Sequence, residues 1–261
     1  MKKICLFLLF SYSIFAQNNL NIEYNYTDLN GYTTPSSLVI IDNEAVFRIL
    51  DSRESGVSKE EYNGQLYYIN NDELSTFTFS NNDLAYVRTI YRKNELIYTH
   101  TNNDLNWNIT GNFKKIGDYK CNEALLTLHG RKYKVWFTTE IPITYGPLKL
   151  NGLPGLIIEV LVDGGNFCKI KLNNIKKAQS ENEIFLFGKE YFIEKKKKVK
   201  SFNEYEKFAT EIMIRRKLKL LTIASTWESG SSVSFDHDQK FFTKFLIDIP
   251  ENAINELQKI N

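Results

Sequence analysis

Apolar residues alternate with polar ones at Leu20, Ile22, Tyr24 and Tyr26, and again at Tyr133, Val135 and Phe137. A period of two sets such residues on one face of a β-strand, so each run predicts a strand with one buried side. Between these runs, turn-forming clusters recur about every eleven residues, at Asn70-Asn71-Asp72, Asn81-Asn82-Asp83, Arg92-Lys93-Asn94 and Asn102-Asn103-Asp104. Asn and Asp tolerate left-handed backbone and cap their own turns, while the intervening residues are rich in Tyr, Phe, Ile, Val and Thr and are one strand long. This spacing predicts an antiparallel meander. A further hairpin is expected at His129-Gly130-Arg131, joining strands 124–128 and 133–137.

The period lengthens near the C-terminus. Ser201 followed by Glu204 has the form of a capping box ahead of Tyr205, Phe208, Ile212 and Met213, which predicts one amphipathic helix near 201–217. Pro250 stands where it can open a short terminal helix through Ile254 and Leu257. The basic run Lys195 to Lys198 and Lys200 reads either as a solvated linker or as a contact for anionic lipid or polymer. The expected fold class is mainly β with minor α. It is a curved antiparallel sheet, a meander or open half-barrel, with the late helix lying across it.

The N-terminus adds a cellular setting. Lys2 and Lys3 precede an apolar run from Ile4 to Phe10, and the small residue Ala16 stands before Gln17, the order of a secretory signal. That run is too short to cross a bilayer, and no later stretch reaches transmembrane length. Residues 1–16 are thus read as a cleaved signal and 17–261 as one β-rich domain, periplasmic or on the outer side of the envelope. Cleavage takes the basic count from 33 to 31, equal to the 31 acidic residues, so a nucleic-acid partner is not expected. The mature chain keeps Cys121 and Cys168, which outside the cytoplasm either form a structural disulfide or sit as small buried thiols.

The most unusual stretch separates strand 133–137 from strand 156–162. It holds Pro142, Gly146, Pro147, Gly152, Pro154 and Gly155, a density that no helix or central strand tolerates. Yet Ile141, Ile143, Leu148, Leu150, Leu153 and Leu156 make it too apolar for a solvated linker, so an ordered loop folded back on the sheet is expected. Gly152 and Gly155 permit positive φ or close backbone approach, and Pro154 holds Leu153 extended. Two readings follow: a plug closing one end of the sheet, or the rim of a ligand or partner groove with Trp136, Lys149 and Glu159 nearby.

The order Thr138-Thr139-Glu140-Ile141-Pro142, then Gly146-Pro147-Leu148-Lys149, then Gly152-Leu153-Pro154-Gly155-Leu156-Ile157-Ile158-Glu159 resembles the hallmark of the GLPGLI family. The upstream residues from Lys114 to Ala124 and Trp136-Phe137-Thr138 fit the same pattern, so the resemblance covers about residues 114 to 160. Asp118 departs from it, since members often carry a second glycine after Gly117. The resemblance implies an exported protein of Bacteroidetes in an envelope or surface setting. It supplies no reaction, because the family has no established biochemical activity.

Candidate chemistry is sparse. His100 sits on an expected strand and His129 in a turn, while Asp236-His237-Asp238 places neighbours on opposite sides of an extended chain and suits a metal poorly. The segment Ser229-Gly230-Ser231-Ser232 is turn chemistry, and Glu60 with Glu61, or Glu181 with Glu183, lie in polar stretches. No catalytic residue, metal site or cofactor is assigned. The expected function is non-enzymatic binding of an apolar ligand or an envelope protein partner. An accessory subunit of an outer-membrane assembly or transport system and an unrecognised hydrolase are the alternatives.

Overall fold

The computed structural model describes residues 19–28, 31–49, 57–62, 65–70, 77–81, 83–91, 94–225, 255–257 and 259–260. The signal 1–16, the cluster Asp236-His237-Asp238, the turn 229–232 and Pro250 lie outside the described residues, as do the side chains of Glu60 and Glu61. The strands are β1 (Leu20–Asp28), β2 (Thr33–Ile41), β3 (Glu44–Ile49), β4 (Val57–Tyr62), β5 (Gln65–Asn70), β6 (Phe77–Ser80) and β7 (Leu84–Tyr91). They continue with β8 (Asn94–Thr101), β9 (Asn108–Ile116), β10 (Tyr119–Leu128), β11 (Arg131–Thr138), β12 (Leu156–Val162), β13 (Cys168–Lys177) and β14 (Lys200–Ser201). Helix α1 (Glu183–Lys195) precedes β14 in the chain and helix α2 (Phe202–Ser225) follows it.

Among the described residues, twelve strands form one sheet in the order β14-β8-β7-β6-β3-β2-β1-β13-β12-β11-β10-β9, and β4 pairs with β5 separately. Every pairing in the large sheet is antiparallel except β14 beside β8. Tight turns carry the positive φ that strand twist demands. Asp42 and Asn43 have φ 50 and 63 between β2 and β3, and His129 and Gly130 have φ 47 and 70 between β10 and β11. The mainly β class with an open sheet and few helices is as the alternation and turn spacing predict.

Chain connectivity forces this sheet to curl. β8 and β9 stand ten strand steps apart in the sheet order, about 48 Å if flat, yet only residues 102–107 join them, a reach of about 25 Å. The two halves of the sheet are therefore drawn toward each other, with β9 left as an unpaired edge among the described residues. The ring of His100, on β8, lies 6.1 Å from that of His129 in the β10–β11 turn. His129 in turn stacks on Phe202 at 3.4 Å.

The inner face holds the larger core, with Ile22, Tyr24, Leu38, Phe47, Tyr98, Tyr133, Val135 and Val160 among its members. Helix α2 covers part of it through Tyr205, Ala209 and Met213, and its capping box forms as the sequence predicts. The Ser201 N–H donates to Glu204 Oε2 at 2.8 Å and the Glu204 N–H returns to Ser201 Oγ at 3.3 Å. This helix runs to Ser225 rather than stopping near 217. Of the expected terminal helix, residues 255–257 are helical, and Lys217 Nζ donates to the Leu257 carbonyl at 2.7 Å.

Two expectations are corrected. A second helix, α1, occupies the stretch that begins at Glu183, and it covers the opposite face of β2, β3 and β6 with Phe185 and Phe192. That is why Leu38, Val39, Ile40 and Ile41 are all buried, although alternation would expose half of them. Gly188 allows the close approach, since a Cβ there would stand 2.7 Å from Val46 Cγ1. The basic run is not a linker either, for it forms the end of α1, a single 3-10 turn and β14, which pairs with Tyr98 and Thr99. Of the two readings kept open for the cysteines, the second holds, since Cys121 and Cys168 are buried free thiols. They sit on strands three steps apart, about 14 Å, where a disulfide needs Cα atoms within about 7 Å. Burial pushes the Cys168 thiol up to about 12.

Candidate functional site

Residues 139–155 leave β11, cross the inner face and return to β12. The polar anchors of this loop land on the β2–β3 turn, on β6 and on the β8–β9 connection. Tyr145 OH donates to the Asn43 carbonyl in the β2–β3 turn. The Thr78 hydroxyl of β6 donates to the Leu148 carbonyl at 2.6 Å, and Trp107 Nε1 to the Asn151 carbonyl at 2.8 Å. Asn151 Nδ2 reaches Asn102 Oδ1 at 3.2 Å. Within the loop, the Gly152 N–H donates to the Thr144 carbonyl at 2.8 Å and the Leu156 N–H to the Ile141 carbonyl at 2.9 Å. Tyr24 OH caps the return by donating to the Ile157 carbonyl at 2.9 Å.

The glycines divide the labour that the sequence assigns them jointly. Gly152 supplies a positive φ of 89 in open space. Gly155 supplies close approach, because a Cβ would stand 2.0 Å from the Thr138 carbonyl oxygen, and Gly146 does the same against the Leu150 carbonyl at 2.2 Å. Pro142, Pro147 and Pro154 fall between these contacts, where fixed φ shapes irregular chain. Leu148, Leu150, Leu153, Leu156 and Ile157 are all buried in the inner core. The loop therefore fills the concavity of the sheet with its own side chains.

Lys149 is buried completely within this filling, with its ammonium 6.0 Å from the centre of the Tyr98 ring. Tyr98 stacks on Tyr205 of α2 at 4.0 Å. A cation so far from water needs polar or π partners, and the ring face is one of them.

Trp136 and Glu159 lie elsewhere. They are cross-strand partners on the face of β11 opposite Val135. There Lys114 Nζ binds Glu159 Oε2 at 2.7 Å and lies 4.3 Å from the centre of the Trp136 ring. Lys134 Nζ binds Glu123 Oε2 at 2.7 Å and approaches the same ring at 5.7 Å. The bulge at Gly111, φ 83, lets Thr110 and Asn112 also reach Glu123 Oε1, at 3.0 and 3.1 Å. These bonds, that from Lys134 foremost, hold the Glu123 carboxyl below the usual carboxylate range. The sequence grouping of Trp136, Lys149 and Glu159 thus separates into an outer ion-paired cluster and an inner buried lysine. Tyr98, Tyr205, Asn102 and Trp107 join the loop only through long-range contacts, while Asn151 before Gly152 carries a local turn signal.

Along β9 the picture reverses. Ile109 is 50% and Phe113 69% exposed, on a strand that pairs with β10 alone among the described residues. Beside Phe113 lies a cleft of about 350 Å³ lined by Lys114, Lys115, Asp118, Lys120 and Glu140. No three His, Cys, Asp or Glu side chains among the described residues gather to hold a metal ion. No helix among them is long and apolar enough to cross a membrane.

Residues 129–159 match a family described as "Protein of unknown function (Porph_ging)", a span that runs from the β10–β11 turn through the loop to Glu159. None of the curated proteins matches the sequence. Among solved structures, PNGF-II is similar at 12% identity with a TM-score of 0.43, over 64% of this chain and 30% of that one. An uncharacterised conserved protein from Thermus thermophilus is similar at 6% identity with a TM-score of 0.34, over 63% of this chain and 81% of that one. LolA superfamily protein NE2245 from Nitrosomonas europaea shows 9% identity and a TM-score of 0.26, over 66% of this chain and 91% of that one. The matching part of this chain thus spans about a third of PNGF-II.

Proposed function

We propose that the chain is a GLPGLI-type protein of the bacterial envelope, exported by its N-terminal signal, that works by binding a protein partner rather than by catalysis. The observation that carries this reading is the burial of the motif loop. Leu148, Lys149, Leu150 and Leu153 occupy the concavity in which a curled sheet could otherwise house an apolar ligand. An apolar ligand would have to displace them, whereas a partner at the sheet's surface need not. The carboxylates beside the motif suit a scaffold too, since Glu123 and Glu159 are each paired to a lysine.

Native mass spectrometry of protein purified from the periplasm, with sequencing of its N-terminus, tests this. The expected product begins at Gln17 and carries no lipid. A cytoplasmic, unprocessed chain would contradict export, and a lipid that co-purifies and leaves on denaturation would contradict the filled interior.

A further inference from the structure

We propose that β9 is an open docking edge that takes an extended, acidic polypeptide segment as an added strand; the proposal rests on the partner-binding reading above and names the partner's chemistry. Gly117, at φ 58 ahead of Asp118, makes a two-residue turn with Ile116 opposite Tyr119 as its closing hydrogen-bonded pair. Counting back by twos, Lys114 directs its backbone bonds to β10, and Phe113 and Lys115 direct theirs to the free edge. A segment laid there gains ladder hydrogen bonds without disturbing the existing sheet. Phe113 and Ile109 offer it apolar contact that water now covers.

The charges select the segment. Lys115 stands directly opposite Lys120, a like-charge cross-strand pair that an anion between them would relieve. Among the described residues neither ammonium has an ion-pair partner. Lys120 Nζ lies 5.4 Å from the Phe113 ring, and Glu140 is engaged by the Lys120 backbone N–H at 2.9 Å. Lys114 is already paired to Glu159, and Asp118 is the remaining acid lining the cleft. From Asn108 to Ile116 there is no acidic residue at all, so a carboxylate-bearing strand meets attraction along the edge. A second copy of β9 would instead bring more lysines to it, a device that keeps edges apart.

The test uses the mature chain and two fluorescein-labelled eight-residue peptides, one alternating Val with Glu and one alternating Val with Lys. Anisotropy should give at least tenfold tighter binding of the Glu peptide, weakening with salt, and NMR should show slowed exchange of the Phe113 and Lys115 amides. Phe113→Pro removes an outward N–H and should abolish binding, whereas Phe113→Ala should weaken it only a few-fold. Lys115→Glu with Lys120→Glu should reverse the preference. Equal binding of the two peptides, or amide protection elsewhere, overturns the proposal, as does a Phe113→Pro chain that folds and binds normally. Neither result alters the lipid measurement, so the partner-binding reading stands or falls separately.

Discussion

The loop 139–155 and strand β9 invert the usual link between regularity and burial. The loop has irregular backbone, three prolines and three glycines, yet its leucines and its one lysine are buried. β9 is continuous strand interrupted by one bulge at Gly111, yet most of its residues are exposed on both faces. The loop can be irregular inside because its backbone groups find partners: Thr144, Ile141, Thr78 and Trp107 satisfy it much as a strand would. β9 can be exposed because its neighbour supplies one row of bonds and water the other. The family match covers the loop and leaves β9 out. A motif of this kind marks how the sheet is closed, and recognition is then free to sit where packing makes fewer demands.

Substitutions should separate the two regions in order of severity. Leu153→Asp places a charge in the inner core and should prevent folding altogether, read as loss of the cooperative unfolding transition. Gly155→Ala drives a methyl into the Thr138 carbonyl and should cost about 3 kcal/mol or more in urea unfolding. Gly152→Ala meets only backbone strain in open space and should cost about 1–2 kcal/mol. If these two changes cost the same, the division of labour between the glycines is wrong.

Milder changes belong to the outer cluster and the edge. The folded Glu123 carboxyl is held below its ordinary value, so its stabilising effect is present above that value and lost as pH falls through the folded one. Glu123→Gln should therefore cost about 1 kcal/mol at neutral pH and flatten the acid limb of a melting-temperature profile. Phe113→Ala should change stability by less than about 0.5 kcal/mol, because the ring is mostly in water already.

Much of the sheet was legible. Alternation at Tyr133, Val135 and Phe137 marks β11, and His129-Gly130 marks its turn, because period and left-handed turns are local properties. Helix α1 was missed for a local reason: Ile184-Phe185-Leu186-Phe187 has strand-like residues that outweigh two helical cues. Those cues are Asn182 at the N-cap, accepting from the Phe185 N–H at 3.2 Å, and the spacing of Phe185, Gly188 and Phe192. In the candidate site, the rigid apolar corner could be read from Gly, Pro and Leu density. The separation of Lys149 from Trp136 and Glu159 could not, since it depends on which side of the sheet the chain crosses. The stack of Tyr98 on Tyr205 joins residues over a hundred positions apart and leaves no trace in local pattern.

Native-state hydrogen exchange at the Gly152 and Leu156 amides tests the closing role of the loop most directly. Both donate to loop carbonyls, of Thr144 and Ile141, rather than to a strand ladder. If the loop closes the curled sheet, both should exchange with the same opening free energy and denaturant dependence as core amides such as Val135. Faster exchange of Gly152 and Leu156, insensitive to denaturant while the Val135 amide stays protected, would show that the loop opens alone and that the sheet does not need it.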